Sequence, residues 1–278
     1  MLRIDSGTKK NVTTTIAISS GKGGVGKSNI VANLAIALTK LKNDVMIFDA
    51  DLGLSNIDVL FQMAPKYNIQ HVLNGEMSLK TIIAEGPHGI KILPASSGTQ
   101  ELTALNEFQR LKLLEEFDFF DVEPDVLLID TAAGISENVA FFCVAAQEII
   151  IITAPEPTAL TDAYALIKVL STRYQEKKFN VLVNSVKGQE EAIEIFRRLY
   201  LVAERFLNLS LDYLGYIPYD ESVKDAVKMQ RAFVDAFPNS PASKKIIELS
   251  HKVMNLEGKV KGSLQFFISN LLSATGTK

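Results

Sequence analysis

The stretch Gly21-Lys22-Gly23-Gly24-Val25-Gly26-Lys27-Ser28 decides how the chain reads. It meets G-x-x-x-x-G-K-[ST] at every fixed position, a match that average glycine and lysine usage produces in roughly 1% of chains this long. Its neighbours supply the context such a loop needs. Upstream, Thr14–Ser19 is a short run rich in apolar and β-branched residues. Downstream, Asn29–Leu41 sets Ile30, Val31, Leu34 and Leu38 on one stripe of a helix. A glycine-rich turn between strand and helix lets successive backbone N–H groups point at phosphate oxygens, and the helix N-terminus adds partial positive charge. Gly21, Lys22, Gly23, Gly24, Val25 and Gly26 form the cradle. Lys27 is placed to reach the β- and γ-phosphates of a nucleotide, and the Ser28 hydroxyl to ligate Mg²⁺.

Outward from the loop, short apolar runs alternate with longer helical patterns. Further strands are expected at Asp44–Asp49, Ile90–Pro94, Asp125–Asp130, Glu148–Thr153, Phe179–Asn184 and Leu211–Ile217. Runs such as VLLID and IIIIT are continuously apolar, as in strands covered on both faces. Helices are expected at Glu101–Phe117, Ala159–Tyr174 and Gln189–Leu207. The alternation predicts an α/β fold, a mostly parallel twisted sheet of about seven to eight strands with helices on both faces. No linker, low-complexity tract or internal repeat interrupts it, so one domain is expected over 12–256, followed by a tail over 257–278.

Composition bounds the function. The 278 residues are 47% apolar and 22% charged, which excludes disordered and collagen-like classes. A net charge of −3 argues against a surface built to wrap nucleic acid. The lone Cys143 excludes a disulfide scaffold and suits a reducing, cytoplasmic setting, and His71, His88 and His251 stand apart from any metal-ligand pattern. The longest apolar run, Val139 to Ala146, falls far short of the roughly 20 residues that span a bilayer.

In an open parallel sheet, ligands gather at the carboxyl ends of strands. Asp49-Ala50-Asp51 ends the second expected strand, and Asp130 closes VLLID before Thr131-Ala132-Ala133-Gly134. A carboxylate at the end of a buried apolar strand is costly unless it meets a cation, and Mg²⁺ with its waters is the natural one.

These residues together resemble the MinD/ParA family of P-loop ATPases. K-G-G-V-G-K-S is similar to that family's deviant loop, whose extra lysine, here Lys22, crosses a nucleotide-sandwiched dimer and touches the partner's phosphates. Its use would be that of an arginine finger, delivered on dimerisation. D-A-D-L-G-L-S-N-I-D from Asp49 is similar to the family's switch I and D-T-A-A-G from Asp130 to its switch II. The resemblance implies that Asp51 positions the attacking water and that Asp49 supports a Mg²⁺ shell anchored by Ser28 and Asp130. Asn56 and Asp58 complete the match with roles left open. It also implies that Asn184 reads the adenine edge while Pro218, Tyr219 and Asp220 border the base. The implied activity is hydrolysis of ATP to ADP and phosphate, slow and stimulated by a partner or membrane, with ATP/ADP and Mg²⁺ as cofactors and a homodimer when ATP is bound.

The run I-P-Y-D-E-S-V-K-D-A-V-K-M-Q from Ile217, followed by S-P-A-S, looks like the flagellar-number regulator branch of that family, FlhG or FleN. That branch implies control of flagellar number and placement through a signal-recognition-type GTPase (FlhF), flagellar switch components or a flagellar transcriptional activator. Many of its members begin with D-Q-A-x-x-L-R, of which only Leu2-Arg3 is matched here, so stimulation of that GTPase is not carried over. In the tail, Leu264, Phe267, Ile268, Leu271 and Leu272 recur at spacings of three and four, an amphipathic helix similar to the branch's membrane-targeting helix. It implies reversible attachment of a cytoplasmic protein to the inner face of the cell membrane. The alternatives are a MinD-type division-site ATPase and, less favoured, a ParA-type DNA-segregation ATPase, since direct nucleic-acid binding needs a basic surface.

Overall fold

The computed structural model describes residues 13–96, 104–118 and 120–256. The strands are β1 (Thr14–Ser20), β2 (Val45–Ala50), β3 (Ala84–Glu85), β4 (Lys91–Leu93), β5 (Val126–Ala133), β6 (Glu148–Thr153), β7 (Asn180–Val186) and β8 (Asp212–Pro218). The longer helices are α1 (Lys27–Lys40), α5 (Glu107–Asp118), α6 (Glu137–Ala145), α7 (Pro157–Tyr174), α8 (Gln189–Leu207), α9 (Glu221–Lys228) and α11 (Pro241–Met254). Short helices α2 (Ile57–Leu60), α3 (Ile69–Leu73), α4 (Leu79–Ile82) and α10 (Phe233–Ala236) fill the connections.

All eight strands join one sheet in the order β3-β4-β2-β5-β1-β6-β7-β8. Every pairing is parallel except β3 with β4. The expected fold class is therefore what the chain adopts, and all seven expected strands are present. The eighth, β3, is a two-residue edge strand with no pattern to announce it. β1, β2 and β6 are buried almost throughout, which explains their apolar runs. One core cluster lies on the face covered by α3 to α8, the other on the face covered by α1 and α9 to α11.

Helix boundaries follow their caps. α5 begins at Glu107, later than the expected Glu101, because Asn106 accepts from Gln109 N while Gln109 Oε1 accepts from Asn106 N. α7 begins at Pro157, whose missing N–H costs nothing at the first helical position. α6 is buried on all sides, with Val139, Phe141, Phe142 and Cys143 all inside, and so shows an apolar run and no stripe. No helix among the described residues is long and apolar enough to cross a membrane. The tail positions Leu264, Phe267, Ile268, Leu271 and Leu272 lie outside the described residues, as do residues 1–12.

After β1 the chain crosses to β2 on one side of the sheet, and β6 to β8 then build out the other. The strand order thus reverses at β1, and the crevice at its carboxyl end is where such sheets take ligands.

Candidate functional site

The loop between β1 and α1 sits in that crevice. Gly24 and Gly26 have φ of +82° and +88°, which L side chains rarely adopt, so the curl of the loop requires glycine there. Gly26 is further constrained, since a Cβ would stand 2.5 Å from Asn184 Nδ2. Gly21 has a different reason. A Cβ on it would run into the α7 backbone at Asp162 and stand 2.6 Å from Ala163 N, so its glycine admits α7 against the loop.

Lys27 is 7% exposed and donates to Asp130 Oδ1, and its Nζ lies 3.4 Å from Ser28 Oγ. β5 sets Asp130 beside Ile18 of β1 and Asp49 of β2, which brings the two buried carboxylates together at the strand ends. Asp49 Oδ1 accepts from Asp51 N at 3.1 Å and its Oδ2 from Ser55 Oγ at 2.8 Å. Burial, with Asp130 adding to it, pushes the Asp49 carboxyl up to about 8. Burial also raises half-buried Asp51, with Asp130 adding and Lys27 opposing. Asp51 lines a groove of about 1340 Å³ together with Gly23, Gly24, Lys27, Ser28 and Asn56. Asp58 shares Ser55 Oγ with Asp49, at 2.9 Å, and Asn56 Nδ2 donates to Leu54 O.

The donor set fits Mg²⁺. Asp130 Oδ2 is buried without a hydrogen-bond partner, a costly state that a cation would relieve. Among the described residues there is no group of three or more His, Cys, Asp or Glu side chains that could hold a metal alone. Mg²⁺ suits such a site, because it is commonly held by one or two protein oxygens, substrate phosphates and its own waters.

Lys22 is held apart from the groove lining, its Nζ donating to Glu156 and, at 2.9 Å, to Thr158 Oγ1 at the start of α7. On the other flank, Asn184, Pro218, Tyr219 and Asp220 line a cleft of about 470 Å³ together with Phe233. Asn184 Nδ2 donates to Val25 O at 2.7 Å, tying β7 to the phosphate loop. Tyr219 is exposed, and Lys224 Nζ lies 4.9 Å from its ring centre. Asp220 accepts from Ser222 N and Ala242 N, both at 3.0 Å, and so caps α9 and fastens the start of α11. Burial pushes its carboxyl up, but these hydrogen bonds outweigh that and hold it below the ordinary carboxylate value.

The structure thus gathers the phosphate loop, Asp49, Asp51, Asp130 and the residues Asn184, Pro218, Tyr219 and Asp220 around one crevice. Sequence reasoning missed Ser55, which bridges two carboxylates, Glu156, which holds Lys22, and Phe233 in the cleft beside Asn184. Ser55 lies inside the switch-like run and was accessible as a serine between carboxylates. Glu156 and Phe233 carry no such signal.

Comparison with known proteins agrees with this geometry. The chain matches the ParA family, described as NUBPL iron-transfer P-loop NTPase, over residues 11–254. It is 44% identical to the antiactivator FleN of Pseudomonas aeruginosa, across 94% of this chain and 95% of that one. It is 37% identical to the flagellum site-determining protein YlxH of Helicobacter pylori, across 87% and 82%. Among solved structures, the septum site-determining protein MinD of Pyrococcus horikoshii, complexed with Mg-ADP, superposes with a TM-score of 0.73 at 25% identity, covering 88% of this chain and 98% of that one.

Proposed function

The chain belongs to the ParA/MinD family of P-loop NTPases, in its FlhG/FleN branch, and from that premise we propose an ATP-driven switch that sets flagellar number and placement. It is an ATPase that works with ATP, ADP and Mg²⁺. The observation that carries the reading is the cluster at the strand ends: a glycine-curled phosphate loop beside two buried carboxylates, one with an unpartnered oxygen.

Lys27 and the loop backbone from Gly21 to Gly26 hold the phosphates, and the Asn184–Asp220 wall receives the base. Ser28 and Asp130 would hold Mg²⁺ with Asp49 supporting, and the ion would supply charge neutralisation at the phosphates. Asp51, open to the groove, orients the attacking water. Lys22 is surface-held by Glu156 and Thr158, so it is available to a second copy that closes over the groove. ATP then favours a homodimer, and turnover stays slow until a flagellar partner or the membrane stimulates it. The partners proposed are a signal-recognition-type GTPase, flagellar switch components or a flagellar transcriptional activator. Residues 12–256 form the ATPase unit, and the tail over 257–278 is its membrane contact, placing the protein between cytoplasm and inner membrane face.

Two measurements test this. Light scattering with ATP should show Asp51→Ala dimerising and hydrolysing slowly, and Lys22→Ala binding ATP without dimerising; a monomeric Asp51→Ala with normal turnover would remove the water-positioning role. Deleting the gene should change flagellar number. Minicells with unchanged flagella would instead favour the MinD-type division-site reading, which the likeness to MinD structures keeps as the second choice.

A further inference from the structure

α10 is four residues long and too short to hold itself in place. Its cap residue, Ala232, has no side chain that accepts a hydrogen bond, so the first N–H groups of the helix need partners from elsewhere. Asn33 of α1 supplies one, its Oδ1 accepting from Val234 N at 2.9 Å. At the other end of the amide, Nδ2 donates to Asn29 O and to Asn29 Oδ1, both at 2.8 Å. A backbone N–H can only donate and a backbone carbonyl can only accept, so the fully buried Asn33 amide has one permitted orientation. The carbonyl of the same peptide group, Phe233 O, accepts from the fully buried Ser243 Oγ of α11 at 3.0 Å, and Ser240 Oγ donates to that hydroxyl in turn. One peptide plane is thus pinned at both ends by buried side chains of two other helices. Phe233, on that plane, lines the cleft beside Asn184 and Tyr219.

We propose that Asn33 is a positioning residue for nucleotide binding: it caps α10 from the phosphate-loop helix and so holds Phe233 as a wall of the base cleft, while Ser243 fixes the other end of the same peptide group. The inference rests on the nucleotide-binding reading above and assigns to Asn33 the tie between the two halves of that site. α1 starts at Lys27, so the helix that meets the phosphates also sets the wall that meets the base. Lys40, seven positions further along the same face of α1, adds a second tie, its Nζ pairing with Asp235 Oδ1 at 2.7 Å. Asn33 has no exposed surface and lines neither the cleft nor the groove, so its effect passes through Phe233.

The test is calorimetry on the whole chain with Mg²⁺, titrated with ADP or with inorganic pyrophosphate, which engages the phosphate loop without a base. Asn33→Ala should weaken ADP about 5-fold, the worth of one helix cap, and pyrophosphate much less. Ser243→Ala, which leaves Asn33 in place, reads the same peptide group from its other end and should show the same split; it keeps the test open should Asn33→Ala fail to fold. Phe233→Ala should weaken ADP, and the Asn33→Ala/Phe233→Ala double variant should lose less than the two single losses combined. Adding Ala232→Ser to Asn33→Ala gives α10 a cap of its own and should recover part of the ADP affinity, which a loss of packing alone would not allow. Equal losses for ADP and pyrophosphate, unchanged ADP affinity in both Asn33→Ala and Ser243→Ala, or fully additive losses with Phe233→Ala would overturn the proposal. A wild-type chain that binds no ADP, or a Lys27→Ala variant that binds it fully, would remove the nucleotide reading and this inference with it.

Discussion

At Asp49 the cost of the site is visible in one carboxyl group. β2 carries it to a strand end with no solvent exposure, next to a second buried carboxylate, and the Ser55 hydrogen bond, the Lys27 ammonium and the Asp51 N–H offset the charge only in part. Its carboxyl is therefore raised from 3.8 to about 8. The sign follows from proton counts. Between about pH 4 and pH 8 the folded chain keeps a proton that the unfolded chain has released, so stability falls as pH rises through that window and levels off above it. Each unit inside the window costs at most about 1.4 kcal/mol. Without nucleotide, urea midpoints at pH 5, 6.5 and 7.5 should drop steadily for the wild type, while Asp49→Asn should show on the order of 2 kcal/mol less loss across the series. Parallel slopes for the two proteins would mean that Asp49 titrates normally. Lys27 belongs to the same balance, because its ammonium answers Asp130 before it answers any phosphate. Lys27→Ala should therefore lose nucleotide binding and also lower the stability of the ligand-free chain by about 3 kcal/mol, since it leaves a buried carboxylate uncompensated. Unchanged ligand-free melting of that variant would show that water already reaches the pair.

At the scale of elements, Gly21 ties the loop to a helix far away in sequence. A methyl group there would strike the α7 backbone, and backbone cannot turn aside as a side chain can. Gly21→Ala should destabilise the fold by about 2–3 kcal/mol, or shift α7, whereas a phosphate-cradle role alone would lower nucleotide affinity and leave melting intact. Differential scanning calorimetry of the ligand-free variant separates the two. The same example shows what the sequence could and could not reveal. The phosphate loop was legible because backbone curvature demands glycine at fixed spacings, and the central strands because burial on both faces makes them continuously apolar. The reason for Gly21 was not, since Asp162 approaches it only after the sheet has formed. Nor was the bond of Lys22 to Glu156, separated by 134 positions. α6 read as an apolar run because it has no exposed face to give it a period. α2, α3, α4 and α10, at four or five residues each, are too short to show one. α8 shows its stripe clearly, with Ala192, Ile195, Leu199 and Ala203 inside, yet leaves Ile193, Leu201 and Phe206 in solvent on the outer surface of the molecule.

For the whole molecule, the geometry constrains how nucleotide state and the proposed membrane attachment can communicate. α11 starts beside Asp220 at the carboxyl end of β8 and runs back along that strand, so that Lys252 meets Leu214 O. The tail therefore departs at Leu256 from the end of the sheet opposite the phosphate loop. Seven residues, Glu257 to Ser263, separate that point from the amphipathic stretch, and a linker of that length spans roughly 24 Å when extended. If the tail binds membrane as proposed, this layout has bound ATP act on it through assembly of two chains. Each large apolar side chain of the stripe contributes about 1.5–3 kcal/mol if fully buried, and less at a lipid interface after ordering costs, so one tail binds weakly. Two tails on the proposed dimer would share an encounter and gain about 10²–10⁴ in avidity. Liposome sedimentation should thus capture the wild-type chain with ATP, much less of it with ADP, and little of a chain truncated at Gly262 in either state. Lys22→Ala supplies the discriminating case, because on the proposed role of Lys22 it should keep ATP and the tail while removing the dimer. It should sediment like the ADP form. If it sediments with ATP as fully as the wild type does, nucleotide acts on the tail within one chain, and the dimer has no part in membrane attachment.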